Sequence, residues 1–336
     1  MQDTPQDTRD DNGRTPFDDL RELIAGVPPG EVAMAEALRE KLAGFPGPAP
    51  ALGGLGDRLE WLATWQKRPE PQVARPLVAV FAGTHGVAGP AATRVAQERV
   101  VGLTQGAAAV RGIAAGLGAA FKVYEFGLEA PSADIRQGPS LSPRETAAAF
   151  AFGMEVVAEG ADIIALGALG AGSVTGAAAI VRSLYGGTAQ YWAQGSKEGS
   201  KEGEGAVGRQ RIADVEAATR ANSGALGDPL SVLSAFGGRD IAGFAGAIVA
   251  ARYQAIPVVL DGFVTCAAAA VLHAVNPDSI AHCMAGQCSA EFAQAGILDR
   301  LGLEPLHDFG IGPGDGTGAA LALSTLRSAC DGLSTL

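Results

Sequence analysis

Residues 76–89 read PLVAVFAGTHGVAG. Leu77 to Phe81 is a short apolar run of strand length, rich in branched and aromatic side chains, and it ends in a glycine loop bearing Thr84 and His85. Alanine-rich helices are expected from Ala91 to Leu117, and Phe121–Phe126 (FKVYEF) is the next strand. The same succession of strand, glycine loop and helix returns in DIIALGALGAGSVTGAAAIVRSL, from Asp162, and in IPVVLDGFVTCAAAAVLHAV, from Ile256. Asp278–Met284 and Pro305–Phe309 read as further strands, with a helix over Ser289–Leu301 between them and a last helix over Gly316–Ala329. Short apolar strands alternating with helices mean right-handed βαβ units and an α/β fold built on a mainly parallel sheet.

Helix starts are written locally. Ser142-Pro143-Arg144-Glu145 is a capping box with proline at the first helical position, opening a helix to about Glu159. Asp228-Pro229 opens another, and Arg239–Gln254 is a further one. Upstream, Phe17–Leu42 and Asp57–Lys67 read as helices separated by GFPGPAPALGGLG. Residues 1–16 are polar and acidic, unlike a signal or transit peptide, and are expected to be a disordered tail. Residues 195–205, GSKEGSKEGEG, read as a flexible surface loop.

Hydrophobic residues make up 47% of the 336, enough for a sizeable core, and the 47 glycines follow no short repeat that would suggest a collagen-like chain. A net charge of −11 with no basic stripe argues against nucleic acid and anionic membranes as partners. The longest apolar stretch, Ile241–Ala251, is stopped by Arg252 and is too short to span a bilayer. Cys266, Cys283, Cys288 and Cys330 include no C-x-x-C pair, so reduced thiols and a cytoplasmic location are expected. His282, Cys283 and Cys288 form one irregular cluster without zinc-site spacing, and no metal or cofactor is expected.

Four loops carry the chemistry: Gly83–Gly86, Gly167–Gly172, Asp261–Phe263 and Gly310–Gly318. Each follows a strand, so all four belong at the carboxyl edge of the sheet, where ligands of such folds bind. A helix starting near Gly172 aims its N-terminus at that edge, which suits a phosphate. Neither the dinucleotide fingerprint nor the P-loop motif is present. His85 is either an acid/base or ligand group or a pin for its own loop. Asp261 either caps the Gly262 turn or meets substrate. Glu291, in the first turn of the expected helix, is favourable there whatever the function. Asp315 is either a catalytic carboxylate on a tight loop or the turn residue that starts the next helix.

The order of these segments resembles the nicotinate-nucleotide:dimethylbenzimidazole phosphoribosyltransferases of cobalamin lower-ligand assembly. The likeness rests on FAGTHGVA, DPLSVLSAFGGRDIAGFAGAIVAA, IPVVLDGFVTCAAAAVL, SAE at Ser289–Glu291 and LGLEPLHDFGIGPGDGTGAALAL, and covers about Leu77–Ala329. It implies a large Rossmann-like domain (71–290 with part of 300–320) and a small helical domain from both chain ends (17–70 with part of 290–336), in a homodimer. The implied reaction moves phosphoribose from nicotinate mononucleotide to a benzimidazole-type base. It needs no metal, because the pyridinium leaving group already carries positive charge. Asp315 falls at the position of the family's general base, a glutamate. Substrate binding is implied for Thr84, His85, Gly170, Ala171, Gly172, Ser173, Val174, Arg211, Gly262, Phe263, Ser289 and Glu291. The chain departs from the family pattern at Thr84, at Ala168 where the family has Glu, and at Ser173-Val174 where it has Asn-Thr. An aspartate in place of glutamate draws the carboxylate back by about 1.5 Å, and misplacement by about 1 Å is worth on the order of a hundredfold in rate. Weakened catalysis is therefore expected, with a degenerate paralogue that binds a nucleotide, an azole base or a partner protein as the alternative.

Overall fold

The computed structural model describes residues 13–43, 53–106, 108–194, 203–312 and 314–334. Its centre is a six-stranded, wholly parallel sheet: β1 (Pro76–Ala82), β2 (Ala120–Glu125), β3 (Ile163–Ala168), β4 (Val258–Leu260), β5 (Cys283–Gln287) and β6 (Pro305–His307), in the order β2-β1-β3-β4-β5-β6. Every residue of β1 is buried, as a central parallel strand covered on both faces requires. Its side chains alternate: Leu77, Ala79 and Phe81 enter one core, Val78 and Val80 the other.

On the first face lie α1 (Pro16–Ala25), α6 (Pro143–Met154), α7 (Ser173–Tyr185), α8 (Ala189–Ala193), α9 (Gly203–Ala221), α10 (Pro229–Phe236), α11 (Gly238–Tyr253), α12 (Gly262–Val275) and α13 (Gln294–Leu301). On the second lie α2 (Val32–Ala43), α3 (Leu55–Gln66), α4 (Ala92–Gln105), α5 (Ala109–Leu117) and α14 (Thr317–Ser334). Leu38, Leu59 and Leu62 from the N-terminal part share one core with Val78, Val80, Leu323 and Leu326, so α2, α3 and α14 meet over the sheet itself. The stretch Ala92–Leu117 has the length and apolar content of a bilayer span. In the fold it is two helices, α4 and α5, which bury Val100, Leu103 and Val110 against the sheet.

The local helix signals act as written. Ser142 Oγ accepts from the Glu145 amide at 3.2 Å and the Ser142 amide donates to Glu145 at 2.8 Å. Asp228 accepts from the Ser231 amide at 3.0 Å. Four boundaries differ from expectation. Pro28 and Pro29 split the expected Phe17–Leu42 helix into α1 and α2, because proline offers no amide to continue the ladder. The strand expected over Asp278–Met284 begins only at Cys283, since Pro277 starts a short 3₁₀ turn whose Asp278 amide donates to Asn276. The helix expected from Ser289 begins at Gln294, leaving Ser289 and Glu291 in the loop after β5. Helix α9 begins at Gly203, inside the 195–205 segment, whose other residues to 202, like most of the 1–16 tail, lie outside the described residues.

Helices α6 and α11 cross at van der Waals distance because glycines line the crossing. A Cβ on Gly246 would run into the Phe150 carbonyl, and one on Gly153 into the Gly243 carbonyl. Gly246→Ala is accordingly expected to cost about 3 kcal/mol, the upper end of the overpacking range, because the obstacle is backbone. It would be read as a lower urea midpoint at unchanged slope.

Candidate active site

The strand order reverses between β1 and β3: the chain leaves β1 for β2 on one side, and leaves β3 for β4 on the other. Crevices form at such reversals, at the carboxyl ends of the strands. The two loops there are stitched together. The His85 amide donates to the Ala171 carbonyl at 3.0 Å, the Ala171 amide to Gly83 at 3.1 Å, and the Leu169 amide to Phe81 at 2.9 Å. Above them opens a cavity of about 650 Å³. Val87 and Ala88 line it from the first loop, Ala168–Gly170 and Gly172–Thr175 from the second, Arg211 and Asp214 from α9, Val264 from α12, and Asp315 from the loop before α14.

Of the residues named from the sequence, Gly170, Gly172, Ser173, Val174, Arg211 and Asp315 meet in this cavity. Thr84, His85 and Ala171 lie buried beneath it; the Thr84 hydroxyl donates to the Leu128 carbonyl at 3.1 Å. Gly262 starts α12, and the Phe263 ring is buried in the core. Ser289 donates to the Glu291 carboxylate. Burial pushes the Glu291 carboxyl up, against that hydrogen bond and the nearby positive charge of Arg211.

Two buried carboxylates organise the site: Asp240, which the sequence did not single out, and Asp261, which neither caps its own helix nor lines the cavity. Asp240, on the first turn of α11, accepts from Ser173 Oγ at 2.7 Å and from the Ile241 amide at 3.0 Å, and bonds His85 Nε2 at 2.7 Å. Burial pushes its carboxyl upward. The pull of His85 and the hydrogen bonds outweigh that and hold it below the ordinary carboxylate range. His85 and Ser173 sit on the two different loops, so Asp240 clamps them. Nothing in GGRDIAGF marks this: an aspartate in a first helical turn reads as a dipole partner. Helix α9 is tethered similarly. Arg136 pairs with Asp134 at 2.7 Å and with Asp214 at 3.1 Å, and Asn222 donates to the Ile135 carbonyl at 2.8 Å.

Asp261 makes no side-chain bond to its own helix. Its Oδ2 instead accepts from the Gly316 amide at 2.8 Å and the Gly318 amide at 3.1 Å, and Gln287 Nε2 donates to Oδ1 at 2.7 Å. Complete burial, with a smaller contribution from the negative charge of Asp315, raises its pKa to about 7 despite these bonds. Asp315 Oδ1 accepts from the Thr317 amide at 3.0 Å, an Asx-type turn into α14 as the turn reading expects, and the residue also lines the cavity. Pro313 lies outside the described residues. Among the described residues no three His, Cys, Asp or Glu side chains are grouped to hold a metal. His282 donates from Nε2 to the Ile248 carbonyl at 2.9 Å, and Cys283 and Cys288 are buried thiols.

A parallel sheet covered by helices on both faces, with a cleft at its topological switch point, defines the doubly wound α/β class, whose ligands sit in such a crevice. Within that class, the chain belongs to the nicotinate-nucleotide:dimethylbenzimidazole phosphoribosyltransferase family. A phosphoribosyltransferase family model matches residues 27–336. The nicotinate-nucleotide–dimethylbenzimidazole phosphoribosyltransferase of Brucella anthropi is 44% identical over 318 residues, 94% of this chain and 93% of that one. The protein of the same name from Methylocella silvestris is 44% identical over 321 residues, covering 94% and 92%. The crystal structure of the Thermus thermophilus protein of that name superposes with a TM-score of 0.79 at 29% identity, over 90% of this chain and 96% of that one.

Asp240→Ala leaves His85 and Ser173 unpaired and is expected to cost about 3–5 kcal/mol in urea unfolding. Because the folded-state pKa of Asp240 is lowered, its contribution is present above about pH 3.9 and lost as pH falls through the folded value. Asp261 has the opposite sign. Its folded pKa, about 7, lies above the unfolded value, so the native state binds the extra proton. Its contribution is full below about pH 4 and is lost as pH rises toward 7, by ~4 kcal/mol at most. The stability of Asp261→Asn relative to the unsubstituted protein should therefore improve from pH 4 and level off above about pH 7, measured by denaturant unfolding at each pH.

Proposed function

We propose that this protein transfers the phosphoribosyl group of nicotinate mononucleotide to 5,6-dimethylbenzimidazole or a related azole base, giving α-ribazole phosphate and nicotinate. The observation that carries the reading is a cleft containing both halves of the required chemistry, in a chain 44% identical along 94% of its length to proteins bearing that name. The glycine loop at Gly170–Gly172, the amides opening α7 and Arg211 suit the donor's phosphate. The apolar walls, Val87, Ala88, Leu169 and Val264, suit a flat base. Attack by the imine nitrogen of the base on C1′ forms one C–N bond and breaks that to the pyridinium ring. The ring keeps the bonding pair and leaves as neutral pyridine nitrogen. The alkylated base then carries one N–H proton too many. Of the two carboxylates lining the cavity among the described residues, Asp214 is engaged by Arg136 and Gln210, and Asp315 is the one to take it. Asp134 and Arg136 act at a distance in this scheme, by pairing with Asp214 in the cavity wall and so holding α9 and Arg211.

Neither the fold nor the relatives indicate weakened catalysis or a degenerate paralogue, and both expectations are set aside. The loop carrying Asp315 is held by neighbouring strands, which is the condition for a short side chain to be placed reproducibly. The homodimer and the cytoplasmic setting remain part of the proposal, resting on the family.

Purified protein given nicotinate mononucleotide and 5,6-dimethylbenzimidazole should yield α-ribazole phosphate by mass spectrometry. Asp315→Asn should lower kcat by about 10²–10⁴, with the KM for nicotinate mononucleotide little changed. Absence of product with any azole base, beside an active control enzyme, overturns the reading.

A further inference from the structure

We propose that Asp261 is the positioning residue of this reaction, gripping residues 314–318 through the amides on the far side of Asp315 so that the Asp315 carboxylate is presented to the acceptor base. The inference rests on the reading of Asp315 as base. Asp261 is fully buried, whereas Asp315 lines the cavity. An aspartate at the start of a helix ordinarily turns to that helix's own amides. Asp261 stands at the start of α12 and makes no such bond; its Oδ2 crosses to the neighbouring loop and takes two of that loop's amides, Gly316 and Gly318.

The rest of the surroundings serves the same loop. The Ala168 amide at the end of β3 donates to the Gly314 carbonyl at 2.8 Å, before Asp315, while Asp261 holds the amides after it. Gly316 stands at φ +99°, which other residues rarely adopt, and a Cβ on Gly167 would come within 2.6 Å of the Asp315 carbonyl carbon. A Cβ on Gly318 would collide with Gln287, the residue that holds Asp261 from the other side. The loop is thus clasped by the ends of β3, β4 and β5, with Asp261 as the polar centre of the clasp. Since about 1 Å of misplacement costs on the order of a hundredfold in rate, such a clasp acts on kcat while leaving phosphate binding alone.

Two substitutions separate positioning from charge. Asp261→Ala removes both acceptors. Asp261→Asn keeps an oxygen for the glycine amides and turns its NH₂ toward Gln287, whose Oε1 has no partner and can accept after an amide flip. Expected for Asp261→Ala is a fall in kcat of about a hundredfold, an unchanged KM for nicotinate mononucleotide, and rapid hydrogen exchange across residues 314–318. Asp261→Asn should restore kcat to within about tenfold of the unsubstituted enzyme and restore amide protection. An unchanged kcat in Asp261→Ala overturns the proposal. So does an Asp261→Asn protein as slow as the alanine variant with its amides protected, because the charge would then be what matters. Should Asp261→Ala fail to fold, Gln287→Ala loosens the clasp from behind, and an unchanged kcat there has the same consequence. If the unsubstituted protein makes no ribazole phosphate, it is the reading of the reaction that falls. Hydrogen exchange in Asp261→Asn and Gln287→Ala still decides whether Asp261 holds the loop.

Discussion

The parallel pairing of β1 with β3 is the constraint on which the cleft depends. It sets two glycine loops side by side at the one place where the strand order reverses. A crevice there exposes amides that no further strand can use, and helix α7 starts from its floor. The pairing leaves a polar problem beneath the loops, which Asp240 resolves by bonding to His85 from one and Ser173 from the other. Unpaired, any of these three would cost a desolvation penalty of roughly 1–3 kcal/mol or more. The set ties the two loops into one floor.

The buried carboxylates divide the work by their surroundings. Asp240 is stabilised as an anion by its partners, while Asp261 is pushed toward the neutral acid by burial and the charge of Asp315. Both sit under loops rather than in the cavity, and both bind elements distant in sequence. Among the described residues, Asp315, from the loop before α14, and Asp214, from α9, are the carboxylates that line the cavity itself. Of these two, Asp214 is held by Arg136 and Gln210, and Asp315 is the one on the loop that Asp261 holds.

Much of the fold was legible in local pattern. Strands β1, β3 and β4 lie where apolar runs meet glycine loops, because a strand buried on both faces has to be apolar throughout and the turn after it has to be tight; the edge strands β2 and β6 also lie where they were expected, although they are only partly buried. Ser142 and Asp228 capped their helices as their spacing implies, since a cap is a bond within three residues. The fifth strand, from Cys283, was displaced by the Pro277 turn, and Glu291 fell into a loop where a helix was expected. The first is a local turn; the second depends on the Cys288 and Ala290 amides pairing with His307 and Ile311, which no window of neighbouring residues contains.

The site divides the same way. A parallel α/β sheet, the four loops at its carboxyl edge, and Asp315 as the carboxylate of the last loop can all be read from the chain alone, because glycine spacing and hydrophobic period are local properties. The folded arrangement was needed to establish that His85 faces Asp240 rather than the cavity, that Asp261 serves the loop of Asp315 rather than its own helix, and that Gly170, Ser173, Arg211 and Asp315 share one space. A side chain's hydrogen-bond partner is chosen by which elements the sheet order brings together, and the sheet order is a property of the whole chain.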